Sequence, residues 1–201
     1  MRKVVAGLII SLDGVVESPN VWAWPHYMND EMLREINIGI MQADTVLLGK
    51  HTYLGFTQLW SHRESDTPMA DFLNNSPKYV VSSTLDMLEW QPATLIKGNL
   101  TEEITKRKQQ SGKNIQIPES PTLVRSLLCD GLIDELTLDI CPIVVASGMR
   151  LFDRITNQIK LKLIDTNTLS NGVIEVTYQS LHSNDQTTAQ PLHFPDATTY
   201  K

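Results

Sequence analysis

The stretch from Asp44 to Trp60 constrains this chain more than any other. A short apolar run, Thr45 to Leu48, reads as a buried strand. It stops at Gly49, a residue that turns sharply and lets a ligand approach the backbone. A cation, an imidazole and a hydroxyl follow at Lys50, His51 and Thr52, and then an aromatic helical segment through Tyr53, Phe56 and Trp60. A strand that turns through glycine into a helix points free backbone N–H groups at whatever lies above the strand end. Lys50 and Thr52 add donors suited to a phosphate. An ordinary turn carrying a solvated lysine fits the same residues, so the weight rests on two later stretches that repeat the arrangement.

A chain of 201 residues is long enough for one domain with a substantial core and no staples. Its 17 Lys and Arg against 23 Asp and Glu leave a net charge of −6. Without a basic excess to neutralise phosphates, nucleic acid is not the expected partner, although one local basic pocket remains compatible. The apolar run Val4 to Ile10 is broken by Gly7 and is too short to span a bilayer. It also lacks the small-residue cleavage site of a secretion signal, so neither membrane attachment nor export is expected. The two cysteines, Cys129 and Cys141, form no C-x-x-C, and His26, His51, His62, His182 and His193 are scattered. The expectation is a cytoplasmic protein with buried free thiols and neither a metal site nor a disulfide framework.

Taken in order, Val4 to Ile10 is a strand, Ser11 to Glu17 a loop, and Val21 to Tyr27 an aromatic cluster ahead of a helix. Asn29 is its expected N-cap, with Asp30 and Glu31 complementing the helix dipole and Met32, Leu33, Ile36 and Ile40 forming the apolar face. A short helical piece over Met69 to Leu73 precedes strands at Lys78 to Val81 and Thr94 to Ile96. Thr101 is expected to cap a helix that begins with Glu102 and Glu103 and ends in Lys106, Arg107 and Lys108. A strand over Asn114 to Ile117 leads to Ser120 and Pro121, which read as N-cap and N1 of a helix carrying Leu123, Val124, Leu127 and Leu128. Glu135 to Val145 is strand-like. Lys160 to Asp165 and Val173 to Leu181 alternate as an antiparallel pair with Asn171-Gly172 in the connection. The expected architecture is α/β: a mostly parallel sheet with helices on both faces and an antiparallel C-terminal edge. Residues 1–181 form the domain, and 182–201 read as a polar tail.

In such a sheet, ligands bind outside the carboxyl ends of the strands. Three junctions qualify: Gly49-Lys50-His51-Thr52, Ser82-Ser83-Thr84, and Pro118-Glu119-Ser120-Pro121 at a helix N-terminus. Hydroxyls at strand ends commonly serve as caps and turns, yet three such ends together could hold a dinucleotide.

The order Ser11-Leu12-Asp13-Gly14, Trp24-Pro25, then Ala43-Asp44 through Leu47-Leu48-Gly49-Lys50 to Thr52-Tyr53 resembles the dihydrofolate reductase-like superfamily. More closely, the chain resembles the branch that includes the reductase domain of riboflavin biosynthesis. Lys78 to Leu85, Leu123-Val124-Arg125 through Leu136, and Pro142-Ile143-Val144 through Arg150-Leu151-Phe152 carry that likeness. The resemblance implies a dihydrofolate reductase-like fold and NADPH as cofactor. By that resemblance Gly49, Lys50 and Thr52 would meet cofactor phosphates, with His51 at the cofactor edge or on the surface. Ser82 and Ser83 would sit near the adenosine ribose and its 2′-phosphate, and Glu119 and Ser120 would approach the pyrophosphate. The substrate, a small heterocycle, would lie between the Asp13-Gly14 loop, the cluster holding Trp22, Trp24 and Tyr27, and the helix beginning near Asp30. A homodimer through the C-terminal strands is also implied.

Two departures stand out. Glu119 takes a place where the family usually has glycine, and Ala146-Ser147-Gly148 replaces the common Gly-x-Gly. A carboxylate beside a pyrophosphate costs on the order of 1 kcal/mol per close charge pair in water and several times that when partly buried. Glu119 is therefore expected to turn outward. Hydride transfer to a C=N or C=O group also needs a proton source and a dry pocket. Asp30, Asp13 and Glu17 are the candidates, against ordinary roles in helix-dipole complementation and turn capping. Two functions remain open: an NADPH-dependent reductase of a pterin-like or ribosylamino-pyrimidine substrate, or a nucleotide-binding or interaction module without turnover.

Overall fold

The computed structural model describes residues 1–64 and 67–181; the tail expected over 182–201 lies outside them. Eight strands form one sheet: β1 (Val4–Ser11), β2 (Ala43–Gly49), β3 (Lys78–Val81), β4 (Ala93–Ile96), β5 (Asn114–Pro118), β6 (Glu135–Cys141), β7 (Leu161–Thr168) and β8 (Ile174–Ser180). Their order is β4-β3-β2-β5-β1-β6-β8-β7. Strands β4 to β6 of that row run parallel, and β8 and β7 close the edge antiparallel, as the sequence pattern predicts.

The central strands are apolar throughout because both faces are covered. On one face Val4, Ala6, Leu8 and Ile10 of β1 pack with Ile115, Ile117 and Leu136 beneath Ile104, Val124 and Leu127. On the other, Ile9 joins Trp22, Met32, Cys141 and Val173, while Val46, Leu48 and Val80 pack with Tyr53, Leu73 and Trp90. Period-two alternation along β1 thus feeds two separate cores. The aromatic cluster forms two short helices, α1 (Pro19–Trp22) and α2 (Trp24–Tyr27). The longer helices are α3 (Asp30–Met41), α4 (Lys50–Trp60), α5 (Pro68–Asn75), α6 (Leu100–Lys108) and α7 (Pro121–Cys129).

The helix starts differ in a way that bears on function. Asn29 caps α3 by accepting from the Met32 N–H at 2.9 Å, as expected. Thr67 caps α5 through the Ala70 N–H, and α6 is capped by Asn99, not Thr101, through the Glu102 N–H at 3.3 Å. Neither α4 nor α7 has a side-chain cap. Both begin at strand ends, β2 and β5, that lie side by side in the sheet.

Lys78 opens β3 with no exposed surface at all. Its Nζ donates to the carbonyls of Leu73, Asn74 and Ser76 at 2.8, 3.4 and 3.1 Å and sits 4.6 Å from the centre of the Trp90 ring. These acceptors are the unpaired carbonyls at the end of α5, so the buried cation closes a helix C-terminus. The expectation of two buried thiols holds for Cys141 and fails for Cys129, which the last position of α7 leaves exposed.

Candidate functional site

Register sets the shape of the carboxyl edge. β5 ends with Pro118 opposite Gly7, while β1 and β6 run on together to Ser11 and Cys141. The step leaves the end of β5 recessed between β2 and β1, the crevice position favoured for ligands in open α/β sheets. Two hollows of about 320 and 370 Å³ lie elsewhere, one around Thr57, His62 and Trp90 and the other around Leu128, Phe152 and Leu161. Neither touches the strand ends, and the chemistry argues for the crevice.

On the β2–β5 side the backbone is open. The Gly49 N–H donates to Ser120 Oγ at 3.1 Å, joining the two uncapped helix starts. Ser120 was expected to cap α7 with its side chain. Instead its backbone is left-handed at φ +60°, and its hydroxyl faces Gly49. Lys50 Nζ donates to Thr84 Oγ1 at 2.6 Å, which brings a cation across to the β3 end. Thr52 is half-buried in the first turn of α4, and His51 and Ser83 are exposed. Ser82 is buried, and its Oγ accepts from the Thr84 and Leu85 N–H groups at 3.2 and 3.1 Å. Its hydroxyl oxygen serves its own turn, so Ser83 and Thr84 carry the outward hydroxyls.

Glu119 corrects an expectation. It does not turn out to solvent: the residue is half-buried, and burial raises its carboxyl pKa above the usual range. Its N–H donates to the Gly7 carbonyl at 3.0 Å, and its φ of +57° is strained for a residue with a Cβ. Among the described residues nothing donates to its carboxylate.

The β1–β6 side is the reverse. Asp13 Oδ1 accepts from Ser11 Oγ at 2.7 Å and from the Val145 N–H at 3.0 Å. Its Oδ2 takes the Ala146 N–H at 3.0 Å and Arg150 Nη2 at 3.2 Å. The Ser11 hydroxyl first, and then the Val145 and Ala146 amides, hold the acid down at about 2. Asp13 therefore stays ionised and cannot give up a proton near neutrality; as a proton source it is set aside. Arg150 also donates to the Asp13 and Ala146 carbonyls, and Arg125 of α7 donates to the carbonyls of Arg150 and Leu151. Glu17, the second candidate, is likewise occupied, accepting the Met149 N–H at 2.8 Å. Gly14, at φ +87°, lets the loop turn back so that its carbonyl receives the Leu151 N–H.

The aromatic residues divide. Trp22 is core, its Nε1 donating to the Glu17 carbonyl at 2.8 Å, whereas Trp24 is 40% exposed. Tyr27 is half-buried, with its hydroxyl 3.3 Å from the Pro142 carbonyl. Asp30 is exposed at the first position of α3. Its neighbour Glu31 is tied to Ser170, whose hydroxyl and N–H hold its carboxyl below the usual range.

One acid group escaped sequence reasoning. Asp139 stands opposite Glu175 across the antiparallel β6–β8 pair. Burial first, then the carboxylates of Glu175 and of Glu35 on α3, push Asp139 up to about 7. Such a group keeps a proton near neutrality, the property asked of a general acid. In sequence Glu135 to Val145 is strand-like, and nothing in it singles out Asp139. The Asn171-Gly172 turn sets only the β7–β8 register; the β6–β8 pairing that brings Asp139 opposite Glu175 joins segments far apart in sequence. Among the described residues no group of three His, Cys, Asp or Glu is arranged to hold a metal ion, and no helix is long and apolar enough to cross a membrane.

Comparison with known proteins agrees with this fold. The profile of the RibD C-terminal domain family matches residues 2–175, and the chain belongs to that family. An uncharacterised Bacillus subtilis protein, YyaP, is 30% identical over 184 residues, covering 88% of this chain and 94% of its own. Among solved structures, a Shewanella sp. PV-4 protein provisionally assigned to riboflavin biosynthesis superposes with a TM-score of 0.69 at 20% identity, covering 90% of this chain and all of its own. An Enterococcus faecalis dihydrofolate reductase complexed with NADP(H) superposes with a TM-score of 0.58 at 13% identity, covering 89% of this chain and 96% of its own. The fold is dihydrofolate reductase-like.

Proposed function

We propose that this chain is an NADPH-dependent reductase of a small heterocyclic substrate, pterin-like or a ribosylamino-pyrimidine. The observation that carries the reading is the pair of helix starts without side-chain caps, α4 and α7, joined through Gly49 and Ser120 at neighbouring strand ends. Their free N–H groups and partial positive charge suit a pyrophosphate. Lys50 with Ser83 and Thr84 would serve the 2′-phosphate. Bound there, the cofactor supplies a hydride. Trp24 and Tyr27 would bound the substrate side, with Asp30 at the start of α3 as the candidate proton source there. Membership of the RibD C-terminal domain family supports the reaction class, and the NADP(H) complex of the Enterococcus protein supports the cofactor.

Glu119 favours a second reading, a nucleotide-binding module without turnover. Titration with NADPH and NADH, followed by nicotinamide fluorescence, separates the two. The reductase reading predicts NADPH binding at about micromolar concentrations with NADH weaker. Binding of neither dinucleotide contradicts it and puts the module first. A homodimer through the C-terminal strands belongs to the same proposal, because edge strand β7 exposes Leu163 and Ile164 at 51% and 43%. Sedimentation giving the mass of a single chain at all concentrations overturns it.

A further inference from the structure

The turn between β5 and α7 carries an unexplained cost. Glu119 and Ser120 are consecutive non-glycine residues with left-handed backbones, at φ +57° and +60°. Such conformations are held only where the surrounding structure imposes them, and they collect at functional sites. Here the strain holds a half-buried carboxyl, with no donor among the described residues, beside two helix N-termini whose amides are uncapped.

The charged and titratable groups around it do not relieve it. On α4, Lys50 is engaged with Thr84 and His51 is exposed. Arg125 of α7 is spent on the Arg150 and Leu151 carbonyls, and Arg150 is bonded to Asp13. From β1 the contact is the Gly7 carbonyl, which receives the Glu119 N–H. Lys50, Arg125 and Arg150 are thus committed elsewhere, and His51 stands at the surface.

We propose that Glu119 makes anion binding at the β2–β5 crevice proton-linked, so that a pyrophosphate lies across the two helix starts only after the Glu119 carboxyl has taken up a proton. The ligand class is that of the proposed function, a dinucleotide or other diphosphate ester, and the inference rests on that reading. An ionised carboxyl here repels the pyrophosphate, whereas a protonated one can donate to a phosphate oxygen. The direction of its burial-driven pKa shift brings protonation closer to neutral pH. Binding then consumes a proton from solvent, and affinity falls as pH rises.

The test is NADPH affinity from about pH 6 to about pH 9 for the wild-type chain and for Glu119→Gln, which keeps size and backbone while removing the charge. Calorimetry in two buffers of different ionisation enthalpy counts the protons taken up. The expected result is an affinity that drops about tenfold or more across the range in the wild type, with proton uptake. In Glu119→Gln binding should be tighter at the upper end, with the uptake lost; the variant also serves as the control for titration of the ligand's own 2′-phosphate. Binding by Glu119→Gln alone also supports the proposal. Equal affinities and equal pH profiles in the two proteins overturn it while leaving the reductase reading intact. No binding by either protein at any pH overturns that reading and the proton link together.

Discussion

Asp13 and Glu119 are both acids placed just beyond the ends of two neighbouring strands, β1 and β5, and their surroundings are opposite. Asp13 accepts from a hydroxyl, two backbone amides and a guanidinium, and its pKa falls to about 2. Glu119 accepts from nothing among the described residues, and burial raises its pKa. The first region is a latch: Asp13, Glu17, Arg125 and Arg150 bind the loop after β1 to the segment 145–151. Among the described residues, the second leaves its helix starts without side-chain caps and its carboxyl without a donor. A region that holds its own loops together saturates its polar groups; the open polar groups of the second region are what the proposed ligand would meet.

Asp139 extends the contrast and offers the largest effect. Its folded pKa of about 7 lies above the unfolded value, so the native state holds its proton more tightly. Its contribution is therefore fully present below about pH 4 and is lost as pH rises through about 7, a swing of up to about 4 kcal/mol, less what relaxation of Glu35 and Glu175 recovers. Asp139→Asn should flatten that loss, measured as unfolding free energy in denaturant at about pH 5 and about pH 8. An unchanged pH slope in the variant would break the assignment.

Asp13 should show a smaller effect of the opposite sign. Its folded pKa is depressed, so its stabilisation is present above the ordinary carboxylate pKa and disappears as pH falls towards about 2. Asp13→Asn should remove this acid-side dependence and speed hydrogen exchange at the Val145 and Ala146 amides. Unaltered exchange at those two amides would mean that the latch is held by Arg150 and Glu17 without Asp13.

Much of the fold was legible from local pattern. Apolar runs ending in glycine or hydroxyl residues gave the parallel strands, and the Asn171-Gly172 turn gave the antiparallel pair. Asn29 followed by Asp30 and Glu31 marked the start of α3. Thr101 was expected to start α6, but Asn99 caps it, and Glu102 and Glu103 fit either start. The site was legible as a set of strand ends, but not in the state of its side chains. Ser120 and Pro121 read as a cap, yet the Ser120 hydroxyl answers Gly49, 71 positions away in sequence. Asp13, Glu119 and Asp139 differ through partners or burial supplied by distant segments: Val145 and Ala146 for the first, helix and strand ends for the second, and Glu35 and Glu175 for the third. Hydrophobic period cannot report which carboxylate receives donors.

The central claim is that the uncapped starts of α4 and α7 receive the cofactor. Amide chemical shifts of isotope-labelled protein, followed as NADPH is added, test it most directly. The amides of Gly49 to Tyr53 and of Glu119, Ser120 and Thr122 to Val124 are expected to shift most, while those of Val145 to Arg150 stay near their free positions. Saturable NADPH binding that moves amides around Trp90 or Phe152 and leaves Gly49 and Ser120 unmoved would contradict it.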